Sequence, residues 1–86
     1  MPYILPKDRT ELIDNYRYPE TAGELNFCFT SLINLYLDVK KNYQAINDCL
    51  GALEGAKLEL YRRVAAPYED KKIQENGDVY SERAKK

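Results

Sequence analysis

The residues with the most chemistry to offer lie in YRRVAAPYEDKKIQENGDVY, positions 61 to 80. Arg62 and Arg63 carry planar guanidinium groups suited to two-pronged recognition of a carboxylate or phosphate. Tyr61, Tyr68 and Tyr80 frame them with stacking faces and hydroxyl donors. Consecutive helical residues point about 100° apart, so the two arginines diverge. One is expected to pair with Glu59, or with Glu69 and Asp70 beyond Pro67. The other is open to an anion or to a partner's carboxylate. The first expectation for the stretch is structural: it clasps the Pro67 to Tyr80 segment onto the rest of the chain. The functional alternatives are a protein-binding surface and, in a symmetric oligomer, a small pocket for a nucleotide-like anion. Tyr61, Arg62, Arg63 and Tyr68 are the candidate ligand or partner contacts in either case.

Little else in the chain offers chemistry. There is no histidine, which removes the commonest general base and the Ser-His and Cys-His nucleophile systems, along with most zinc or haem ligation. Cys28 and Cys49 lack the CxxC spacing of a metal or redox pair. Gly51 and Gly55 lie in a helical pattern rather than in a loop after a strand, the wrong context for cradling phosphate. Glu54 and Glu59, with Glu24 and Asp48 across a helical hairpin, are the one conceivable carboxylate set. Bundles that hold two metals add Glu-x-x-His pairs, which this chain cannot supply, and solvation of a helix surface accounts for these acids better. Neither an enzyme, nor a metal, nor a cofactor is expected.

Eighty-six residues make one domain at most. Such a chain buries only roughly 60% of the surface that its unfolded form exposes, so a solitary monomer is marginal. Both cysteines fall in apolar helical segments and read as reduced residues of a cytoplasmic protein, packed as small hydrophobes. No secretory leader or membrane span is expected, because the apolar runs are too short. Thirteen basic and fourteen acidic residues leave a net charge of -1. The basic pairs Lys40-Lys41, Arg62-Arg63, Lys71-Lys72 and Lys85-Lys86 are scattered among acids, so nucleic acid is not an expected partner.

The elements that must position these residues are helical. An extended arm leads to Pro6, which suits a first helical turn, and Leu12, Ile13 and Tyr16 add a small apolar patch. The segment from Asn15 to Glu20, with Pro19 in it, reads as a connection. Thr21-Ala22-Gly23-Glu24 matches a capping box, with the Thr21 hydroxyl accepting from the Glu24 N–H and the Glu24 carboxylate reaching back to the Thr21 N–H. Leu25, Cys28, Phe29, Leu32, Ile33, Tyr36 and Val39 then predict a helix over about 22–39. Phe27, Leu35 and Leu37 fall outside that stripe, so the helix needs cover on more than one side.

Asn42 can cap the next helix. Ile46, Cys49, Leu50, Leu53, Ala56, Leu60 and Val64 form its stripe, and Gly51 and Gly55 inside it suggest that another backbone, or a bulky neighbour such as Phe29, comes close. Pro67 is expected to kink this helix or to end it near Ala65. Pro67-Tyr68-Glu69-Asp70 makes a good first turn for a further helix, which Asn76-Gly77 stops. Asp78-Val79-Tyr80 is a short docking point or the start of disorder, and residues 81–86 are expected to form a mobile tail on a domain spanning 1–80.

GELNF, AKLELYRRV and APYEDKKIQENGDVY, together with the opening Met1 to Ile4 and Pro6 to Arg9, resemble an uncharacterised family of short bacterial and phage proteins. The resemblance covers almost the whole chain and is densest from Tyr43 to Tyr80. It departs between Leu12 and Glu20. It implies no assigned activity.

These readings converge on an all-α protein, an antiparallel helical hairpin with a short N-terminal helix and a kinked C-terminal extension. The short link at 40–42 argues for the hairpin, and the surplus apolar faces argue for a second copy, most simply a dimer. The expected role is non-catalytic: an accessory interaction protein that binds a host or phage protein. The alternative is a homo-oligomer that sequesters a small anionic, nucleotide-like ligand.

Overall fold

The computed structural model describes residues 2–83. Among them the chain is helical throughout its ordered elements: α1 (Pro6–Asp14), α2 (Ala22–Val39), α3 (Tyr43–Leu60), a π-helical turn (Tyr61–Ala65) and α4 (Ala66–Asn76). The fold is all-α. It divides into two compact units, residues 1–49 and 50–86.

In the first unit Pro6 opens α1, where its missing N–H costs nothing. Tyr16 ends the helix with φ 54, a left-handed conformation usually left to glycine. That reversal sends the chain back, and the Arg17 N–H donates to the Glu11 carbonyl at 3.4 Å. Of the anticipated patch only Leu12 is buried; Ile13, about 100° round α1 from it, and Tyr16, taken off the helical spacing by its left-handed turn, face solvent.

Helix α2 starts on Thr21, whose hydroxyl accepts from the Glu24 N–H at 3.1 Å. The second half of the expected capping box is different: the Glu24 carboxylate accepts from the Glu20 N–H, at 3.0 Å, rather than from Thr21. The buried side of α2 also differs from the predicted stripe. Glu24 is buried, with Phe27, Cys28, Ser31, Ile33 and Leu37 partly covered, whereas Leu25, Phe29, Leu32, Tyr36 and Val39 are exposed. Helix α1 lies against the Glu24 and Phe27 side, and Arg9 spans the contact. Its Nε donates to the Ile4 carbonyl at 2.9 Å, and its guanidinium sits 5.9 Å from the centroid of the Phe27 ring.

The link at 40–42 ends as anticipated, with the Asn42 side chain accepting from the Ala45 N–H at 2.8 Å. Beyond it, the Tyr36 hydroxyl of α2 donates to Asp48 of α3 at 3.0 Å. Asp48 is held below its ordinary pKa by hydrogen bonds from Gln44 and then Tyr36, and the same contact raises the Tyr36 hydroxyl. Cys28 and Cys49 are free thiols, both half-buried.

In the second unit the α-helical pattern stops at Leu60, five residues before the predicted end. The Ala66 N–H reaches back five residues to the Tyr61 carbonyl instead of four. The cause is Pro67, which has no N–H to donate and whose ring would crowd the carbonyl four residues earlier. Widening the preceding turn makes room for the ring without ending the helical path. Helix α4 then runs to Gly77, whose φ of 88 stops it.

No neighbour approaches Gly51 or Gly55: a Cβ at either position would meet open space. The expected close contact is therefore not made within the chain, since both glycines sit on exposed helix surface. Gly55→Ala is accordingly expected to stabilise the chain by about 1 kcal/mol, the ordinary gain of alanine over glycine inside a helix. Thermal unfolding of the two proteins would measure it.

Candidate functional site

Two constellations of charged side chains stand out, and the sequence pointed to only one of them. The first is the predicted stretch. The π-turn holds Tyr61, Arg62 and Arg63, and α4 carries Tyr68. Both arginines turn to the same acid, Glu59: Arg63 Nη1 lies 3.5 Å and Arg62 Nη1 4.0 Å from its two carboxylate oxygens. These are i,i+4 and i,i+3 neighbours, so two side chains that diverge on the helix can still share one carboxylate between them. Neither arginine pairs with Glu69 or Asp70. Instead the Tyr61 hydroxyl is 3.5 Å from Glu69 Oε2, and Lys72 Nζ sits 5.6 Å from the centroid of the Tyr68 ring.

All four predicted contact residues are exposed, as are Val79 and Tyr80. The contacts of this stretch are local, along the helix. Beside them the widened turn leaves an open hollow of about 360 Å³, lined by Lys57, Leu58, Leu60, Tyr61 and Ala65. Of the four predicted residues only Tyr61 borders it. Of the expected tail, Ser81 to Arg83 are described and have no regular structure, while residues 84–86 lie outside the described residues.

The second constellation surrounds Arg17, in the segment that read as a plain connection. Its Nε donates to Glu11 Oε2 at 2.8 Å. Nη1 and Nη2 donate to the two oxygens of Glu24 at 2.6 and 3.0 Å, a two-pronged pair. Glu20 and Asp8 stand at 3.3 and 3.4 Å, and the Tyr18 carbonyl accepts at 3.2 Å. One guanidinium thus ties both sides of the connection, α1 through Asp8 and Glu11 and the start of α2 through Glu20 and Glu24. Planar, multiply donating arginine is the residue type this geometry demands.

Glu24 is only 8% exposed. The Arg17 hydrogen bonds, and after them the Glu20 backbone N–H, hold its carboxyl down at about 2 against the burial that would raise it. The Arg17 guanidinium is driven above its ordinary pKa by Glu24 and then Glu11, so it stays charged at any pH the protein meets. An acid whose pKa is lowered by folding contributes stability that is complete above its unfolded pKa of about 4.5 and is lost as pH falls toward 2. The first unit is therefore expected to loosen between about pH 4.5 and 2. A Glu24→Gln variant should show a flatter acid limb when helical signal is followed against pH.

The carboxylates of this cluster converge on a cation that the chain itself provides. Among the described residues no group of three or more His, Cys, Asp or Glu is arranged to hold a metal ion. Among the described residues no helix is long and apolar enough to cross a membrane.

A family model described as "Domain of unknown function (DUF6899)" matches residues 1–79. The chain belongs to that family. The match takes in both constellations, the Arg17 cluster and the π-turn with its arginines. No curated protein and no solved structure matches the chain.

Proposed function

We propose that this member of the DUF6899 family is a non-catalytic interaction protein that associates with itself and docks onto a protein partner through its apolar helix faces. The observation that carries the reading is how little the chain covers. Among the described residues, the buried apolar ones are Leu12 and Ala45. Leu32, Leu35 and Val39 of α2, and Leu50, Leu58, Leu60 and Val64 of the second unit, are each more than half exposed. Exposed apolar residues gathered along helix faces mark interaction surfaces. Free, half-buried thiols accord with a reducing cytoplasmic setting, and the sequence resemblance supports a bacterial or phage origin.

The α2 face is the one to test for a protein partner. A photo-crosslinking residue at Leu35, introduced in the native host, is expected to give one discrete adduct whose mass is not a multiple of 10.0 kDa. The adduct's protein component, purified, should bind the wild-type chain and fail to bind a Leu32→Asp variant. Adducts only with copies of the same chain, or none, would overturn the partner half of the proposal.

A further inference from the structure

We infer that α1 is a strap on the first unit that opens and closes about Tyr16, and that the ion cluster around Arg17 is divided so that α1 can swing away without stranding a buried charge. The observation that carries this is where the pivot falls. Tyr16 holds φ 54, a left-handed conformation that costs any residue with a Cβ and lasts only where the structure on either side enforces it. Tyr16 is itself 86% exposed, so its own packing does little to enforce it. What does so is α1 on one side and Arg17 on the other.

Asp8 and Glu11 precede the pivot and belong to α1; Arg17, Glu20 and Glu24 follow it. A swing about Tyr16 breaks the Arg17 contacts with Glu11 at 2.8 Å and with Asp8 at 3.4 Å, and the bond from the Arg17 N–H to the Glu11 carbonyl at 3.4 Å. It leaves the two-pronged pair with Glu24 at 2.6 and 3.0 Å and the Glu20 contact at 3.3 Å. Glu24, whose side chain is 10% exposed, thus keeps its cation in both states. The acids that lose theirs have side chains 25 and 39% exposed and pass into water, where giving up an ion pair for hydration costs little.

Little else fastens α1. Leu12 is its buried residue, and Arg9 adds the contact 5.9 Å from the centroid of the Phe27 ring. Once detached, a helix of nine residues is too short to stand alone in water, so opening also melts it. The Thr21 cap lies beyond the pivot and holds the first turn of α2 throughout. The strap therefore offers or withholds the Phe27 side of α2 without unfolding the helix that carries it. Such a motion belongs to the low-stability end of local openings.

Residue-resolved amide exchange on the purified full chain tests the strap, in the wild type and in three single variants. Wild-type amides from Asp8 to Asp14 are expected to be protected relative to an unstructured peptide, yet to exchange about tenfold faster than those from Phe27 to Ile33. Tyr16→Val puts a branched side chain where the left-handed backbone tolerates it least, and should speed α1 exchange about threefold or more. Tyr16→Asn, a residue several-fold better suited to that conformation, should slow it about threefold. Glu11→Ala should speed α1 exchange and leave the protection of Leu25 and the rest of α2 as it was. One common rate for α1 and α2, or no protection of α1 in the wild type, would overturn the strap. Indifference of α1 to both Tyr16 substitutions would overturn the pivot. Protection lost at Leu25 along with α1 in Glu11→Ala would overturn the division of the cluster, because Glu24 would then depend on α1 and not on Arg17 alone.

Discussion

Replacing Arg17 with methionine is expected to release α1 from α2 and to melt it. The substitution keeps an unbranched side chain of similar length and removes the charge, leaving Glu24 buried at 8% exposure with only the Glu20 N–H for company and Glu11 and Asp8 with no cation. A carboxylate buried without its partner is strongly unfavourable, and the chain avoids it by opening. Helix α1 has nine residues, fewer than the roughly 12–15 that an isolated helix needs to be even marginal in water. It has no side-chain cap at its N-terminus. Held by Leu12, the Arg9–Phe27 contact and the Arg17 cluster, it folds; deprived of the cluster, it has too little left. Amide exchange across Asp8 to Asp14 should rise to the rate of an unstructured peptide, and helical ellipticity should fall by about the share of nine residues in 86. Exchange across Leu50 to Ala65 should not change. Arg17→Lys is expected to fall between the two, since an ammonium cannot grip both Glu24 oxygens and Glu11 in one plane. Unchanged protection of α1 in the methionine variant would show that the cluster is surface decoration.

The second large effect concerns the other unit. Pro67→Ala is expected to stabilise the chain and to erase the π-turn. With an N–H restored at position 67 and no ring to accommodate, the α-helical pattern can run on through Tyr61 to Ala65. Alanine is favoured over proline by about 3 kcal/mol inside a helix. Part of that penalty is already relieved by the widened turn, so a gain on the order of 1–3 kcal/mol remains. At roughly 4–8 °C per kcal/mol for a small domain, the melting temperature should rise visibly. Restoring α-helical bonding through residues 61–65 turns α4 by about 100° relative to the helix before it and reshapes the hollow beside Leu58, Leu60 and Tyr61. An unchanged or lowered melting temperature would mean that the turn has a cause other than the proline.

The sequence was most legible where one residue type has one local job. Thr21 had to cap α2, Asn42 had to cap α3 and Gly77 had to end α4, because each satisfies orphaned backbone groups or adopts a backbone conformation that few other residues manage. The disturbance by Pro67 was legible as well, but its form was not. A missing N–H says that the ladder breaks, and whether the helix stops, kinks or widens depends on what surrounds the break.

The buried side of α2 was misjudged for a clear reason. Apolar spacing fits a face around Leu25, Phe29, Leu32 and Tyr36, while α1 is fastened to the Glu24 and Phe27 side by charge and by Arg9. Periodicity finds faces that could be buried; it cannot find a face chosen by an ion cluster. The Arg17 cluster left no periodic trace, since its acids at 8, 11, 20 and 24 come from two helices and the loop between them. The available signal was simpler, an arginine flanked on both sides by pairs of acids in a segment otherwise read as connection. At the predicted stretch Tyr61, Arg62, Arg63 and Tyr68 are all exposed. Their sharing of Glu59 was hidden by the assumption that neighbouring arginines must seek different acids.

The central claim is that this chain needs other chains to cover its helices, and native mass spectrometry of the wild-type protein, purified gently across a range of concentrations, tests it most directly. The account predicts a dimer at twice 10.0 kDa that gives way to monomer on dilution. A single species of 10.0 kDa at all concentrations, unfolding cooperatively, would contradict it and show that the apolar helix faces are stable in water as they stand.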